Sequence, residues 1–472
     1  MEIRLQRSRA LVSLVVLGFG AWSATAFAGG PPSAEIRGED SSAPARLAEQ
    51  GYELLRTKAF LPADLDEDVF NALPEVWEEP LRSQAAKASP LERRRMTMMR
   101  YGLTPSPEDP TKPLQYVVGD DGSWTMSCLA CHQGQVAGRA IPGVPNSTYA
   151  LESLTEDVRR TKVRQGKRLG TMDLGFLMLP LGTTVGTTNA VAFGLALMHH
   201  RDRDLNLINK APRFDLPHHD MDAPPWWHVA KKRRLYIDGF APSNHRVLMQ
   251  FLLVKENGPE QLRAWEEDFR AIDAWIESLE APAWPWDVDT AVAERGKVVF
   301  EAHCSRCHGT YDASGDIYPE RMVPIDEIGT DRVRFDSLTP QNRRDLIDSW
   351  MGHYGEDEGL AAPEGYVAPP LDGIWATAPY LHNGSVPTLW HLLHPEQRPA
   401  VWKRSPDGYD QKLVGLEIEV FDGLPNAEIM PSAERRRHFD TSKRGKSAAG
   451  HTFPDALSGE EKRAVLEYLK TL

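Results

Sequence analysis

The stretch AHCSRCHGT, residues 302–310, carries two cysteines three positions apart, Cys304 and Cys307, with His308 directly after the second. C-x-x-C-H is the attachment signature of a c-type haem. Its spacing puts two thiols on one turn of backbone, where they can add to the two vinyl groups of one porphyrin. The adjacent histidine then supplies an axial imidazole to the iron. The motif therefore predicts one covalently bound haem c.

A second copy of the motif lies earlier, in SCLACHQG at residues 127–134, with Cys128, Cys131 and His132. The chain has four cysteines, and the two motifs use all of them. A redox dithiol would not need the histidines, a four-cysteine zinc site usually uses pairs closer in sequence, and a C-x-x-C disulfide is usually strained. The sequence therefore predicts two covalently bound haem c groups.

The first residues of the chain have the pattern of an export signal. Arginines precede an apolar run at residues 10–24, and AFA at residues 26–28 is a cleavage site of the A-x-A kind. The sequence predicts a signal peptide over residues 1–28, and an uncleaved membrane anchor is the alternative. The apolar run is short for a membrane span, and no later stretch is apolar enough. Haem c is attached outside the cytoplasm, so we expect a periplasmic protein, with secretion beyond the periplasm as the alternative.

Length and charge limit the domain count and the partners. A chain of 472 residues predicts two or three domains. A formal charge of −13 makes nucleic acid and anionic lipid unlikely partners. An acidic surface suits a basic redox protein, although it also serves solubility alone.

Helical patterns flank both haem motifs. In the first half they cover residues 45–57 and 259–280. In the second half, residues 290–302 lead into the motif, and Ser458-Gly-Glu-Glu461 is a capping box that opens the final helix. An early helix, a haem motif and a closing helix follow one another in cytochrome c domains.

The predicted fold is mainly α, with two fused class I cytochrome c-like domains, the first with long insertions. We place the domains at residues 44–285 and 286–472, after a disordered lead-in at residues 29–43.

The insertions of the first domain have mixed patterns. Residues 90–101 and 155–165 predict helices, and the apolar, glycine-interrupted residues 174–198 predict buried helix and loop. Residues 212–240 are rich in Pro, Trp and His, which indicates a segment that packs over a cofactor or forms irregular core.

The stretch ATAPYLHNGSVPTL at residues 376–389 resembles the A-P-Y-x-H-x-G-S-x-x-T-L stretch of bacterial dihaem cytochrome c peroxidases and their MauG-like relatives. The form HNGSVPTL, together with Gly450-His451-Thr-Phe453, is more similar to the RoxA-like, rubber oxygenase branch. The resemblance covers most of the chain from about residue 44. It is specific in the second half and loose in the first.

The resemblance implies different roles for the two haems. In these families one haem is six-coordinate and relays electrons, while the other binds peroxide or dioxygen. His451 matches the position of the sixth ligand of the C-terminal haem in the rubber oxygenase branch. Met430 and His438 are the alternative ligands.

The resemblance also implies a structural calcium ion. Thr377 and Pro379 match positions whose backbone carbonyls bind calcium in the peroxidases, and Asp222 matches a side-chain ligand. Such hard oxygen ligands are those that calcium prefers.

One departure concerns the electron route. The peroxidases carry a Trp between the haems in a Phe-Trp-Asp-Gly run, whereas this chain has Ile237 at that place in Tyr-Ile-Asp-Gly. Trp226 and Trp227 are near in sequence, and they either substitute for the missing Trp or belong to the core.

Together these features predict a periplasmic dihaem c-type oxidoreductase, peroxidase- or oxygenase-like. His308 and His451 hold the electron-relay iron, and His132 holds the iron that binds hydrogen peroxide or O₂. A small periplasmic redox protein would donate electrons. A distal acid or base would assist O–O cleavage, and its candidates are His218, His219, His228 and His245. The alternative is an electron-transfer protein with two six-coordinate haems and no catalytic haem.

Overall fold

The structure is a computed structural model that describes residues 43–178, 181–209, 218–312, 315–355, 358–426 and 428–472. The predicted signal peptide and nearly all of the predicted lead-in lie outside these residues. All described elements belong to one unit, Ala43–Leu472. The predicted division of this unit into two domains stays a prediction.

Helices form most of the regular structure in both halves. Those of the first half are α1 Ala43–Thr57, α2 Glu67–Ala72, α3 Leu81–Lys87, α4 Pro90–Tyr101, α5 Leu129–His132, α6 Leu151–Arg164, α7 Thr171–Met178, α8 Ala190–Met198, α9 His245–Leu248, α10 Pro259–Ala264 and α11 Glu266–Glu277. Those of the second half are α12 Thr290–His303, α13 Ser305–His308, α14 Ile325–Ile328, α15 Val333–Ser337, α16 Pro340–Ile347, α17 Leu389–Leu393, α18 Ser432–Arg435 and α19 Gly459–Leu469. Short 3₁₀ helices include Trp226–Lys231 and Ile374–Ala376.

The strands are mostly short and pair in antiparallel fashion. They are β1 Leu65–Asp66, β2 Tyr116–Val118, β3 Ser123–Met126, β4 Gln135–Val136, β5 Arg139–Ala140, β6 Thr187–Thr188, β7 Met221–Asp222, β8 Arg234–Leu235, β9 Ala241–Pro242, β10 Met322–Pro324, β11 Gly365–Val367, β12 Val401–Asp410, β13 Gly415–Phe421 and β14 His438–Asp440. β3 lies between β1 and β2, and β12 lies between β13 and β14. The remaining strands form the pairs β4–β5, β6–β7, β8–β9 and β10–β11.

The first and last long helices of the N-terminal half cross at a glycine. A Cβ atom on Gly51 of α1 would lie 1.9 Å from the carbonyl oxygen of Ala271 in α11. Tyr52 stacks on Trp275 one turn further along α11, with ring centroids 4.8 Å apart. Only a residue without a side chain lets the two backbones come this close.

The C-terminal half repeats this crossing with α12 and α19. A Cβ atom on Gly296 would lie 1.9 Å from the carbonyl oxygen of Ala464. Phe300 packs on Tyr468, with ring centroids 5.3 Å apart. In each half the closing helix carries its aromatic residue, Trp275 or Tyr468, four positions after the alanine whose carbonyl contacts the glycine. The two helix pairs therefore pack in the same way.

Two neighbouring residues belong to different hydrophobic cores. Trp226 packs in the core around α1 and α11. Trp227 packs in the core around α12 and α19. The 3₁₀ helix that carries both therefore inserts one indole into each core.

Most predicted helices form, with revised bounds. The capping box of the final helix is present, because Ser458 and Glu461 each accept from the other's backbone N–H. The predicted helix over residues 259–280 is divided at Trp265 into α10 and α11, and it ends at Glu277. Trp265 leaves helical geometry there, and its ring packs edge-on against Phe60 at 5.1 Å.

Two features differ from the sequence prediction. Within residues 174–198, Leu174 and Leu177 of α7 are 50% and 59% exposed, so this helix is less buried than its composition indicates. The β12–β13–β14 sheet was not predicted, because its long strands carry many charged residues. Among the described residues, no helix has the length and apolar character to cross a bilayer.

Replacing Gly296 by alanine tests the helix crossing. The added methyl group would meet the Ala464 carbonyl, and such overpacking costs about 1–3 kcal/mol. We expect the urea midpoint of the haem-loaded protein to fall accordingly. Gly459→Ala is the matched control, because no atom lies within 4 Å of its Cβ position. Equal midpoints for the two variants would contradict the crossing.

Candidate haem sites

Both C-x-x-C-H motifs form single helical turns, α5 and α13. The four cysteines are free and partly exposed, so none is committed to a disulfide. Desolvation raises the pKa of Cys128 and Cys304 to about 11 and that of Cys131 to about 12. In the first motif both thiols therefore favour the protonated form, which does not suit a redox dithiol at neutral pH, because the thiolate is the reactive form.

A proline carbonyl orients each motif histidine. The Nδ1–H of His132 donates to the Pro224 carbonyl at 3.1 Å, and that of His308 donates to the Pro369 carbonyl at 2.8 Å. This bond fixes the ring and the tautomer, and it leaves Nε2 as the metal-binding nitrogen. Among the described residues neither Nε2 atom has a hydrogen-bond partner. Both rings therefore have the arrangement that an axial haem ligand requires.

His451 faces His308. Their ring centroids lie 6.2 Å apart, with 62° between the ring planes. Two imidazoles bound to one metal, each at about 2 Å, place their centroids about 6 Å apart. Desolvation, aided by the nearby His308 and Arg398, lowers the pKa of His451 to about 3 and favours the neutral, metal-binding form. The pair fits the two axial positions of one haem iron.

The backbone around His451 is held in an unusual conformation. Gly450 and His451 both have positive φ angles, 78° and 47°. A Cβ on Gly450 would lie 2.2 Å from the Gly329 carbonyl carbon, so glycine is needed there. The His451 N–H donates to the Ile328 carbonyl at 2.7 Å.

Arg398 binds the same loop from the other side. Its guanidinium donates to the Ala448 carbonyl at 2.6 Å and the Gly450 carbonyl at 2.7 Å. Further bonds go to the carbonyls of His391, Leu392 and His451. The planar fork of arginine suits several acceptors at fixed angles. The sequence analysis missed Arg398, and nothing local in the sequence marks it.

The two alternative ligands make other contacts. His438 lies in β14, where its Nδ1 is 3.1 Å from the Glu434 carbonyl and its ring packs on Phe421. Met430 lies in the turn before α18, and its carbonyl accepts from Arg435 at 3.2 Å. Among the described residues, the histidine ring brought against His308 is that of His451.

His132 faces an indole. The ring of Trp226 lies parallel to it, with centroids 4.3 Å apart and 14° between the planes. Trp226 packs edge-on against Trp275 of α11 at 5.7 Å, so the helix pair supports the imidazole. Within the described residues no second histidine ring contacts His132. The two motif histidines therefore have different surroundings.

His218 is the candidate acid or base with a partly exposed side chain, 26% accessible. Its Nε2 lies 3.0 Å from Asp220 Oδ1, and its Nδ1 accepts from Asn189 Nδ2 at 3.2 Å. Asp220 is buried and also lies 3.0 Å from Lys446 Nζ. Although desolvation opposes it, the bond from His218 and the charge of Lys446 hold the pKa of Asp220 well below its usual range.

The other candidate histidines are more enclosed. His219 is 1% exposed, and its Nδ1 lies 3.4 Å from Ser337 Oγ. His228 Nε2 donates to the Asp372 carbonyl at 2.9 Å. His245 Nε2 lies 2.8 Å from Glu266 Oε1. Each of these rings has a structural partner.

The Tyr-Ile-Asp-Gly segment has a structural role in this chain. The Ile237 carbonyl accepts from the Val367 N–H at 2.6 Å. Asp238 is fully buried and forms ion pairs with Arg334 at 3.0 Å and Arg343 at 2.9 Å. No local pattern indicates these arginines, which lie about a hundred residues later in the chain.

The candidate calcium ligands lie near one another. A Cβ on Gly384 would lie 3.2 Å from Pro379 Cγ and 3.7 Å from Asp222 Cβ. Asp222 Oδ1 is buried and has no hydrogen-bond partner among the described residues. Desolvation raises the pKa of Asp222 well above its usual range. The described residues contain no group of three or more His, Cys, Asp or Glu side chains able to hold a metal ion, so further ligands would be carbonyls.

Replacing Arg398 tests its role in positioning His451. Arg398→Ala removes the guanidinium that binds the loop carbonyls, so we expect part of the His308 site to change from low-spin to high-spin. His451→Ala should convert that site completely, because the imidazole itself is lost. Electron paramagnetic resonance of the oxidised protein measures both. Arg344→Ala is the control, since that exposed arginine bonds only locally. An unchanged spectrum for His451→Ala would exclude this ligand.

Comparison with known proteins gives one family match and two relatives. Residues 365–403, which include Pro369, match the RoxA-like, cytochrome c-like family. The uncharacterized protein y4iM of Sinorhizobium fredii is 32% identical over 235 residues, covering 42% of this chain and 52% of the relative. The uncharacterized protein y4iJ of the same organism is 30% identical over 265 residues, covering 41% of each. The chain thus spans about half the length of these relatives or less. The family match links the chain to the cytochromes c and implies covalently bound haem c.

Proposed function

We propose that this chain is a periplasmic dihaem c-type oxidoreductase, peroxidase- or oxygenase-like, built from two fused cytochrome c-like domains. The paired helix crossings at Gly51 and Gly296 support the duplication, because each precedes a C-x-x-C-H turn and packs on a closing helix. The observation that carries the function is the difference between the two motif histidines. The His451 imidazole lies across from His308, whereas among the described residues no second histidine ring contacts His132, and the Trp226 indole stacks on the flat face of the His132 ring.

The His308 side is suited to electron relay. His308 and His451 would fill both axial positions, which leaves no place for a substrate on the metal. The loop backbone, its bond to Ile328 and the Arg398 guanidinium hold His451 in one orientation. A fixed ligand pair keeps the geometry similar in both oxidation states, and such a site exchanges electrons readily.

The His132 side is suited to reaction with a small oxidant. A haem bound there would supply an iron with one open position for peroxide or O₂. The protein's part is to hold His132 through the Pro224 carbonyl and the Trp226 ring. His218, partly exposed and bonded to Asp220, is the candidate that we assign to hold a proton during O–O cleavage.

Electrons would come from a small periplasmic redox protein. The net charge of −13 favours a basic donor, because opposite charges speed association. The oxidant would be hydrogen peroxide or O₂.

Ligand binding tests this function. The purified protein should contain two haems per chain by the pyridine haemochrome assay. Cyanide or carbon monoxide should shift about half of the Soret intensity, because one of two similar haems is open. His451→Ala should enlarge that shift, because the loss of this imidazole would open the second iron to the added ligand. A protein with two haems and no ligand binding in any redox state would instead be an electron carrier.

We also propose a calcium ion held by the Asp222 side chain and the carbonyls of Thr377 and Pro379. The support is the buried, unpartnered Asp222 Oδ1 beside Pro379, since a divalent cation would compensate this charge.

Asp222→Asn tests the calcium proposal. The amide keeps the shape and removes the charge, so we expect weaker calcium binding and a smaller rise in thermal midpoint when calcium is added to chelator-treated protein. The control is Asp109→Asn, at an exposed carboxylate bonded to Thr111. A calcium response equal to that of the unaltered protein would exclude Asp222 as a ligand.

A further inference from the structure

We propose that Asp64, Tyr116 and Tyr149 form a proton relay from the protein surface to the first haem motif. The inference rests on the proposed function, because reduction of peroxide or O₂ consumes protons. The three side chains lie in order between two small cavities around the β1–β3–β2 sheet.

The outer cavity has room for a water molecule. Its volume is about 20 Å³, and Asp64, Asp173 and Tyr116 line it among apolar side chains such as Leu154. A cavity needs roughly 10–15 Å³ and two to four polar partners to hold one water. A water here would connect the Asp64 carboxyl to the Tyr116 hydroxyl.

A tyrosine pair leads inward from this cavity. Tyr116 and Tyr149 are 7% and 3% exposed, and their hydroxyl oxygens lie 3.2 Å apart. The Tyr149 hydroxyl also lies 3.3 Å from Met126 Sδ. Each hydroxyl can donate or accept by rotation. The Tyr149 hydroxyl can therefore donate either to Tyr116 or to Met126 Sδ. When it donates to Met126, it can accept a hydrogen bond from Tyr116, so rotation of the hydroxyl reverses the direction of the bond between the two tyrosines.

The inner cavity opens beside the first haem motif. Its volume is about 10 Å³, and its lining includes Tyr149, Cys131 and Asn146. Leu151 lines both cavities, so the cavities are neighbours. Tyr116 lines the outer cavity and Tyr149 the inner one, and the bond between their hydroxyls joins the two. The relay thus ends next to a cysteine that would hold the porphyrin.

Asp64 has the surroundings of a proton donor and acceptor. Its Oδ2 accepts from the Met126 N–H at 2.9 Å, and its Oδ1 has no partner among the described residues. Lys162 Nζ lies 2.6 Å from both the Asp64 carbonyl oxygen and Asp173 Oδ2. Desolvation raises the pKa of Asp64 to about 7, while Met126 and Lys162 oppose the rise and Asp173 adds to it. A group with this pKa exchanges protons efficiently at neutral pH.

The reduction of hydrogen peroxide requires a supply of protons. When one hydrogen peroxide is reduced to two waters, the O–O bond breaks and two electrons and two protons are taken up. The two electrons come from two molecules of the external one-electron donor, each of which is oxidised once. The protons come from solvent through Asp64, which is reprotonated after each transfer. As a residue Asp64 is partly exposed, which places the outer end of the proposed relay near the surface although its carboxyl is desolvated.

Asp64→Asn and Tyr149→Phe interrupt the relay at each end with little change in shape. We expect each variant to reduce peroxide several-fold more slowly with a larger solvent deuterium effect. In the unaltered protein the rate should fall as pH rises through about 7, and Asp64→Asn should remove that inflection. Asp64→Glu should restore part of the rate, because it keeps a carboxyl.

Two readouts do not depend on turnover. Infrared spectra taken below and above pH 7 should show a protonated carboxyl that Asp64→Asn lacks. Folding raises the pKa of Asp64 from 3.8 to about 7. Between pH 3.8 and pH 7 the folded protein therefore binds more protons at Asp64 than the unfolded chain does. The free energy of unfolding should therefore fall as pH rises through this range, and less so in Asp64→Asn.

A second buried Asp–Tyr pair supplies matched controls. The Tyr101 hydroxyl donates to Asp157 Oδ2 at 2.7 Å, and neither residue lines either cavity. Asp157→Asn and Tyr101→Phe should keep the rate, the pH inflection and the isotope effect. If the Asp64 and Tyr149 variants behave like these controls while the protein still reduces peroxide, the relay is excluded and the proposed function stands. If the unaltered protein with two haems reduces neither peroxide nor O₂, the proposed function fails and the relay with it.

Discussion

The close approach of two helix backbones is the constraint on which the candidate sites depend. At Gly51 and again at Gly296 a carbonyl oxygen of the closing helix occupies the space of a side chain. In the second half, α12 runs from this crossing directly into the C-x-x-C-H turn, so the crossing sets the position of His308. In the first half the link is indirect, because Trp226 transmits the position of α11 to His132.

The contact between His308 and His451 shows how a loop residue can be held in a defined position. His451 has a left-handed backbone, which non-glycine residues adopt only when the surroundings require it. Its neighbour Gly450 fits closely against residue 329, and Arg398 satisfies several carbonyls that no regular structure would satisfy. Bonds from two distant segments offset the cost of ordering this loop and hold the imidazole in one orientation.

The sequence predicted the features whose chemistry is local. The haem motifs, the helix that leads into the second motif and the Ser458 capping box each depend on residues close in sequence, and pattern alone identifies them. The resemblance placed His451, and the structure brings it against His308. Arg398, the proline carbonyls and the Asp238 ion pairs could not be predicted, because their partners lie about fifty to a hundred residues away. Likewise, alternation of polar and apolar residues is weak in the sheet of β12, β13 and β14, where the edge strand β13 carries several exposed residues.

The adjacent tryptophans of the 3₁₀ helix affect how the molecule loses its structure. Because Trp226 and Trp227 are joined by one peptide bond and are anchored in different cores, neither core can open fully without moving the other's indole. Trp227 Nε1 also donates to the Asp372 carbonyl at 2.8 Å, three residues from the carbonyl that holds His308. We therefore expect local opening around one motif histidine to disturb the packing around the other, and we expect the two halves to exchange and unfold cooperatively.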